Sequence, residues 1–343
     1  MFPKVISEND LSALSDAISN ASNIAITCHM SPDGDAIGSS LALLHVLSLM
    51  GKRASIITPD QIPASLSFLP NVDKIIAYSC DTQIAQKILS TSDLIFCLDF
   101  NSLTRVDKMA QVLLDARATK VLIDHHLEPD DFTTIKISEP EISSTCLLLY
   151  YVLQQLGFDK HIDQYAAECI YAGMMTDTGN FTYNSNDSNI FLAISELIKK
   201  GIRKDEIYRQ IYNTNSESRL RICGYALSNK MYLYPNHKAA LIVLDKNDLK
   251  QWDYKKGDTE GLVNKPLSIP GICYSVYLRE DDEYIKVSSR SIGDFPVNKM
   301  CEDYFNGGGH KNAAGGEFLG TLAQAIELFE SILKDNDKYL KES

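Results

Sequence analysis

Eight residues carry most of the chemistry open to this sequence. The segment ITCHMSPDGDAIG holds His29, Asp33 and Asp35, and the apolar run LIFCL ends at Asp99. The run VLI ends at Asp124, His125 and His126, and Asp177 follows the apolar stretch AAECIYAGMM. Taken singly, an aspartate after a strand is ordinarily a helix cap and a histidine pair is ordinarily incidental. Gathered in one place they are neither, because five carboxylates cannot all stay ionised together without compensating charge. Two divalent cations supply four positive charges against those five negative ones. Carboxylate and imidazole without thiolate suit Mn2+ or Mg2+, with Fe2+ or Co2+ as further options, better than a structural zinc. Two such ions about 3.5–4 Å apart can clamp a phosphoryl group and generate hydroxide at neutral pH.

A sheet is what must position these residues. Strand candidates Ile24–Cys28, Ser55–Thr58, Lys74–Ala77, Leu94–Leu98 and Val121–Ile123 are short, rich in Ile, Leu and Val, and apolar on both faces. That is the pattern of a buried parallel sheet. Amphipathic segments lie between them, with Ile37, Leu41 and Leu44 at helical spacing. The alternation predicts a doubly wound α/β domain, whose strands deliver their carboxyl ends to one edge where ligands bind. In the loop after the first strand, Asp33 and Asp35 are expected to point the same way, with Pro32 and Gly34 shaping the turn. Helices are expected over 144–156, 162–175, 187–200 and 204–212, the first capped by serine and stopped by Gly157. A polar break at Asn213–Ser218 and a further helix to about Lys230 precede strands at Ala239–Leu244, Ile272–Leu278 and Tyr284–Ser289. Helices at Val297–Phe305 and Leu322–Leu333 complete the pattern. The expected organisation is a catalytic domain over 1–212, a linker helix over 213–230, and a smaller α/β domain with a mixed sheet over 231–343.

The segments HMSPDGDAIGSSLAL, the Asp99 strand end, LIDHH and GMMTDTGNF resemble, in order, the successive motifs of the DHH phosphoesterase superfamily. The C-terminal SSRS and NGGGHKNAAGGEF resemble its DHHA1 domain. Length and layout are similar to the nanoRNase/pAp-phosphatase branch, which trims very short oligoribonucleotides and dephosphorylates 3′-phosphoadenosine 5′-phosphate (pAp). The resemblance implies one ion held by His29, Asp33 and Asp99, and a second by Asp35, Asp99, His125 and Asp177, with Asp99 bridging. It implies Mn2+ first, with Mg2+ or Co2+ as substitutes, and attack on phosphorus by a metal-activated hydroxide. His126 would face the scissile phosphate and Asp124 would support the histidines, as metal-bound imidazoles commonly require.

Three glycines, Gly307, Gly308 and Gly309, precede His310 and Lys311. Gly-rich backbone lets N–H groups converge on an anion, and the following Ala-Ala run is helix-like, so its N-terminus could add to the site. Together with the DHHA1 resemblance this makes Gly308, Gly309, His310 and Lys311 candidate substrate contacts. Arg290 and Arg279, on neighbouring strand candidates, join them, Arg290 ahead of Arg279. The metals and the anion-reading residues would then lie in different domains, with the active cleft between them.

Charge bounds the substrate. Lys+Arg 33 against Asp+Glu 45 leaves a net charge of −12. A processive nuclease or a binder of long duplex DNA needs many basic phosphate contacts, as does a protein that grips anionic membrane, whereas a di- to pentanucleotide needs few. The stretch LALLHVLSLM is far short of the roughly 20 residues a bilayer span needs, and the N-terminus shows no signal pattern. Eight scattered cysteines without a CxxC pair read as buried thiols in a reducing cytosol. Those readings imply a cytoplasmic enzyme of short RNA and pAp-like nucleotides, with a homodimer left open. The alternatives are a cyclic-dinucleotide phosphodiesterase, a RecJ-like exonuclease, an exopolyphosphatase or pyrophosphatase, and, outside enzymes, a nucleotide-binding sensor. Loss of a matched metal position would favour the sensor, and none is lost.

Overall fold

The computed structural model describes residues 2–342. It divides into two compact units, one up to Thr214 and one from Asn215. In the first, six strands form one wholly parallel sheet: β1 (Ile24–Thr27), β2 (Ala54–Thr58), β3 (Ile76–Ala77), β4 (Leu94–Leu98), β5 (Thr119–Asp124) and β6 (Ile135–Ser138). The order is β3-β2-β1-β4-β5-β6, so the winding reverses between β1 and β4. Open α/β sheets bind ligands at such a reversal, beyond the strands' carboxyl ends.

Eight helices surround this sheet: α1 (Glu8–Asn20), α2 (Gly34–Leu49), α3 (Thr82–Thr91), α4 (Ala110–Asp115), α5 (Thr145–Gln155), α6 (Gln164–Asp177), α7 (Ser188–Lys199) and α8 (Lys204–Tyr212). Successive strand residues point to opposite faces. Ile24, Ile26, Phe96, Leu98, Val121 and Ile123 therefore pack with α2, α5 and α6, while Ala25, Ile95, Cys97 and Leu122 pack with α3 and α4. Helices on both faces explain why the strands read as continuous apolar runs. LALLHVLSLM is apolar for the same reason: it lies in α2, which is buried against β1, β2, α5 and α6.

Among the boundaries that differ from the expectation, two bear on the sheet and the site. Residues 72–74 form a 3-10 turn, leaving β3 only Ile76–Ala77. Asp177 is the last residue of α6 rather than a residue beyond it, because Thr178 ends the helix. Strand β6, reading IKIS with only Ile135 and Ile137 buried, has the alternation of a sheet edge and was not expected.

The second unit contains α9 (Glu217–Asn229), β7 (Met231–Tyr234), β8 (Ala239–Leu244), α10 (Lys246–Gln251), β9 (Tyr274–Glu280), β10 (Ile285–Ser291), α11 (Val297–Tyr304), β11 (Gly308–His310), β12 (Ala313–Phe318), α12 (Leu322–Asp335) and α13 (Asp337–Glu342). Its sheet, ordered β11-β12-β10-β9-β8-β7, is mixed: β8 and β9 are parallel and the other pairs antiparallel. Tyr274, Val276, Leu278 and Val287 pack with α11 and α12 on one face, and Ile242, Leu244 and Tyr277 pack with α9 on the other.

The helix expected after the glycine run is instead strand β12, paired in a hairpin with β11 and antiparallel with β10 on its other edge. Side chains of Ala and Gly are small enough for close strand approach, and a Cβ on Gly307 would overlap the Gly315 carbonyl. A Cβ on Gly316 would overlap the Phe305 carbonyl in the same way. Strand packing, rather than a helix N-terminus, accounts for these glycines. Among the described residues no helix is long and apolar enough to cross a membrane. All eight cysteines are free, six of them buried, with Cys80 exposed and Cys223 half-buried.

Candidate active site

Each candidate side chain sits where a parallel strand or a tightly packed helix end delivers it. β1 runs into His29, β4 into Asp99, and β5 ends on Asp124. The loop after β1 is pinned from two sides. The Met30 N–H donates to the Arg105 carbonyl at 2.7 Å, and the N–H of Ser31, at φ +51°, donates to Asp60 at 2.8 Å. Asp99 also has a left-handed backbone, φ +64°, with its N–H donating to the Ile123 carbonyl at 3.1 Å. Such a conformation is uncommon outside glycine, but aspartate and asparagine tolerate it best.

Asp33 and Asp35 do not project together from an extended loop. Asp33 is the N-cap of α2, its Oδ1 accepting from the N–H groups of Asp35 (3.0 Å) and Ala36 (3.1 Å). Asp35 lies in the first helical turn, where about 100° of rotation per residue turns it to a different side. The crossing of α2 over α6 is close because glycines line it. A Cβ on Gly34 would overlap Thr176, and one on Gly173 would overlap Cys146 Sγ and lie 2.8 Å from Asp35 Oδ1. That crossing brings Asp35 of α2 and Asp177 of α6 to one imidazole.

The candidate ligands form two groups that share Asp99, His29–Asp33–Asp99 and Asp99–His125–His126, and a third, Asp35–His125–Asp177, joins the second of these through His125. Within each group one ligand atom per residue lies within 4.8 Å of the others. His29 Nε2 is 3.4 Å from Asp99 Oδ2 and 3.9 Å from Asp33 Oδ2. His125 Nε2 is 3.3, 3.6 and 4.0 Å from oxygens of Asp177, Asp99 and Asp35.

Hydrogen bonding assigns the tautomers. His29 Nδ1 lies 2.8 Å from the Met30 carbonyl and His125 Nδ1 lies 3.0 Å from that of Ile142. A carbonyl only accepts, so Nδ1 carries the proton in both rings and the neutral imidazole turns its Nε2 lone pair toward the carboxylates. His29 Nε2 is buried and has no hydrogen-bond partner. Lone pairs facing carboxylate oxygens without an intervening donor are a cation's environment, and the donor set fits hard divalent ions.

The electrostatics agree. Burial, and then the charges of Asp99, Asp177 and Asp33, push the Asp35 carboxyl well above its ordinary range. Asp177 is pushed up to about 7, by burial first and by Asp99 and Asp33 as well, against the opposing pull of His125. Burial opposes a charge on His29 and on His125, yet the neighbouring carboxylates, Asp99 foremost, and a backbone carbonyl on each ring together outweigh it and raise both. Asp99 itself is held well below the usual carboxylate range, because its three imidazole neighbours outweigh its burial. Without cations these groups compete for protons; with cations the anionic forms are satisfied.

The remaining residues sort by geometry. His126 is gripped twice by the fully buried Asp124: its backbone N–H donates at 3.1 Å and its Nδ1 lies 2.7 Å from Oδ1. In the second unit, Arg290 on β10 and His310 on β11 both pair in register with Ala313 of β12. They therefore share one face of the sheet with only a methyl between them, about 10 Å apart across two strand spacings. Arg279 does not join them. It is level with Lys286, four residues along β10 from Arg290, and is held by both oxygens of Asp281 at 2.6 Å and by Tyr254. Lys311, in the hairpin turn, is paired with Asp294 at 2.7 Å. Gly308 and Gly309 are ladder residues of β11. His45 bonds Asn71, His237 bonds Asp337 and Trp252 packs on Tyr225, so each has a structural role.

Sequence reasoning missed Thr145, Cys146 and Asp60. The N–H groups of Thr145 and Cys146 donate to the two oxygens of Asp35 at 2.6 and 2.8 Å, and the Thr145 hydroxyl donates to Asp99 Oδ1 at 2.9 Å. Only the serine-capped start of α5 was visible as a signal.

A doubly wound sheet with this acidic and imidazole centre at its carboxyl edge defines a hydrolase of phosphoester bonds. Residues 23–174 match the DHH family N-terminal domain and residues 238–342 match the DHHA1 domain, and the chain belongs to the DHH family of phosphoesterases. It is 29% identical over 305 residues to the bifunctional oligoribonuclease and PAP phosphatase NrnA of Thermus thermophilus, covering 89% of this chain and 87% of that protein. The Bacillus subtilis protein of the same name is 28% identical over 301 residues, 87% of this chain and 90% of its own. The crystal structure of an exopolyphosphatase-related protein from Bacteroides fragilis superposes with a TM-score of 0.98 at 48% identity, covering 99% of this chain and 100% of that one.

Proposed function

We propose that this protein hydrolyses oligoribonucleotides of about two to five residues to mononucleotides, and pAp to AMP. The observation that carries the reading is the pair of ligand groups sharing Asp99, in a chain whose NrnA relatives match over most of their length. His29, Asp33 and Asp99 would hold one divalent ion, and Asp35, Asp99, His125 and Asp177 the other, with Mn2+ favoured. Bound there, such ions supply charge neutralisation and a water acidic enough to act as nucleophile near neutral pH.

The side chains do the rest. Asp99 presents an oxygen to each group. Asp124 accepts a hydrogen bond from the His126 Nδ1–H and so orients the ring, whose Nε2 edge is assigned to the scissile phosphate. In the DHHA1 domain, over 231–343, Arg290 and His310 are the substrate contacts best supported by geometry, because they flank one small residue on one sheet face. Lys311, Gly308, Gly309 and Arg279 have weaker support: the first and last are ion-paired and the glycines are committed to the strand ladder. A net charge of −12 favours a substrate with few phosphates.

A second reading, hydrolysis of polyphosphate, is favoured by the exopolyphosphatase-related Bacteroides neighbour. One assay separates them. Mn2+-loaded protein is offered pAp, labelled RNAs of 2–24 nucleotides, cyclic di-AMP, pyrophosphate and polyphosphate. Turnover highest for pAp and for two to five nucleotides is expected. Faster polyphosphate hydrolysis, or a 24-mer degraded as fast as a 3-mer, overturns the proposal.

A further inference from the structure

We propose that Thr145 is a positioning residue that sets how the Asp99 carboxylate is shared between the two ligand groups. This rests on the two-ion reading above. The Thr145 hydroxyl donates to Asp99 Oδ1 at 2.9 Å. That oxygen is the one facing His125 (3.6 Å) and His126 (3.9 Å), while Oδ2 faces His29 at 3.4 Å. One directional hydrogen bond on Oδ1 therefore fixes the rotation of the carboxylate and keeps one oxygen aimed at each group. Without it, both oxygens can turn to the His29 side, and the His125 side loses a ligand.

The same residue serves the second central carboxylate. Its backbone N–H donates to Asp35 Oδ2 at 2.6 Å, and the next N–H, of Cys146, donates to Oδ1 at 2.8 Å. These are the first two N–H groups of an eleven-residue helix, whose positive end favours an anion. The start of α5 thus holds two of the three carboxylates that face His125, Asp99 by the side chain and Asp35 by the backbone. Thr145 is fully buried, so it touches no substrate and acts only through the ligands. Groups that orient metal ligands in this way typically change metal affinity or activity 10–100-fold when removed.

The test is Mn2+ titration by calorimetry with electron paramagnetic resonance on the full chain. Wild type should bind two ions with a spin-coupled signal; fewer than two refutes the two-ion reading and this inference with it. Thr145→Val, nearly isosteric but without the hydroxyl, should weaken one ion about 10–100-fold and abolish the coupling, with the other ion within about threefold. Thr145→Ser, which restores the donor, should recover both. Thr145→Ala, which only removes atoms, is read in parallel in case valine perturbs folding. Unchanged affinities and coupling in Thr145→Val or in folded Thr145→Ala overturn the proposal while leaving the two-ion reading intact. So does a Thr145→Ser variant as impaired as Thr145→Val, which would make the methyl group the important part.

Discussion

Replacing Asp99 by Asn separates charge from shape at the residue both ligand groups share. Asparagine is nearly isosteric with aspartate, tolerates the left-handed φ of +64°, and still offers an oxygen to the Thr145 hydroxyl. The metal-free variant should therefore melt within about 5 °C of metal-free wild type, a shift worth roughly 1–2 kcal/mol at this domain size. Metal binding should respond very differently. Asp99 lies 3.4 Å from His29 Nε2 and 3.6 Å from His125 Nε2, the atoms assigned to the two ions. A unit charge pair at about 4 Å is worth about 4 kcal/mol at an effective dielectric near 20. The remaining ligands and water recover part of that, so the weaker ion should lose about 3–4 kcal/mol. At about 1.4 kcal/mol per decade this is two to three decades in affinity. Turnover of pAp should fall by about three decades or more, because the site then seldom holds both ions. Calorimetric Mn2+ titration, a melting curve and steady-state phosphate release measure the three quantities. A folded variant that binds two ions and turns over within tenfold of wild type refutes the shared-carboxylate reasoning.

Mn2+ affinity should rise with pH up to about 7 and then level off. Protons compete with metal for Asp177, whose carboxyl is pushed up to about 7, and for His29 and His125, which are also raised. All three therefore weaken binding as pH falls, and equal affinities at pH 6 and pH 8 would contradict this. Gly173→Ala places a methyl against Cys146 Sγ and Asp35 at the α2–α6 crossing. Overpacking of this kind costs about 1–3 kcal/mol, so the melting temperature should fall by several degrees with weaker binding of the ion assigned to Asp35. A shift under 1 °C would show that the crossing relaxes freely. Arg290→Ala should raise KM for dinucleotides and leave a small chromogenic phosphodiester almost untouched, since only the former carries the further nucleotide that Arg290 is proposed to bind. An equal loss on both substrates would move Arg290 out of substrate binding.

The metal-centre candidates were legible in the sequence because their positions depend on local rules. Apolar runs of three to five residues marked β1, β4 and β5, and parallel strands all deliver their carboxyl ends to one edge. Side-chain chemistry at those ends, His29, Asp99, Asp124 and the following histidines, then needed no knowledge of packing. Tertiary structure decided what lies at long range. Thr145 finds Asp99 across 46 residues and Asp60 finds Ser31 across 29, contacts that no local periodicity encodes. Asp33 and Asp35 separate into different groups because Asp33 caps the helix that Asp35 begins, which a two-residue spacing does not reveal. The glycine run became a hairpin, not an anion-holding helix start, because β10 was there to pair with Ala313–Phe318. Arg279 was drawn into a pair with Asp281 and Tyr254, while Arg290 kept a place in register with His310 through Ala313. Spacing along the chain sets which side chains a strand end can offer, and only the pairing of distant strands and helices sets which of them meet.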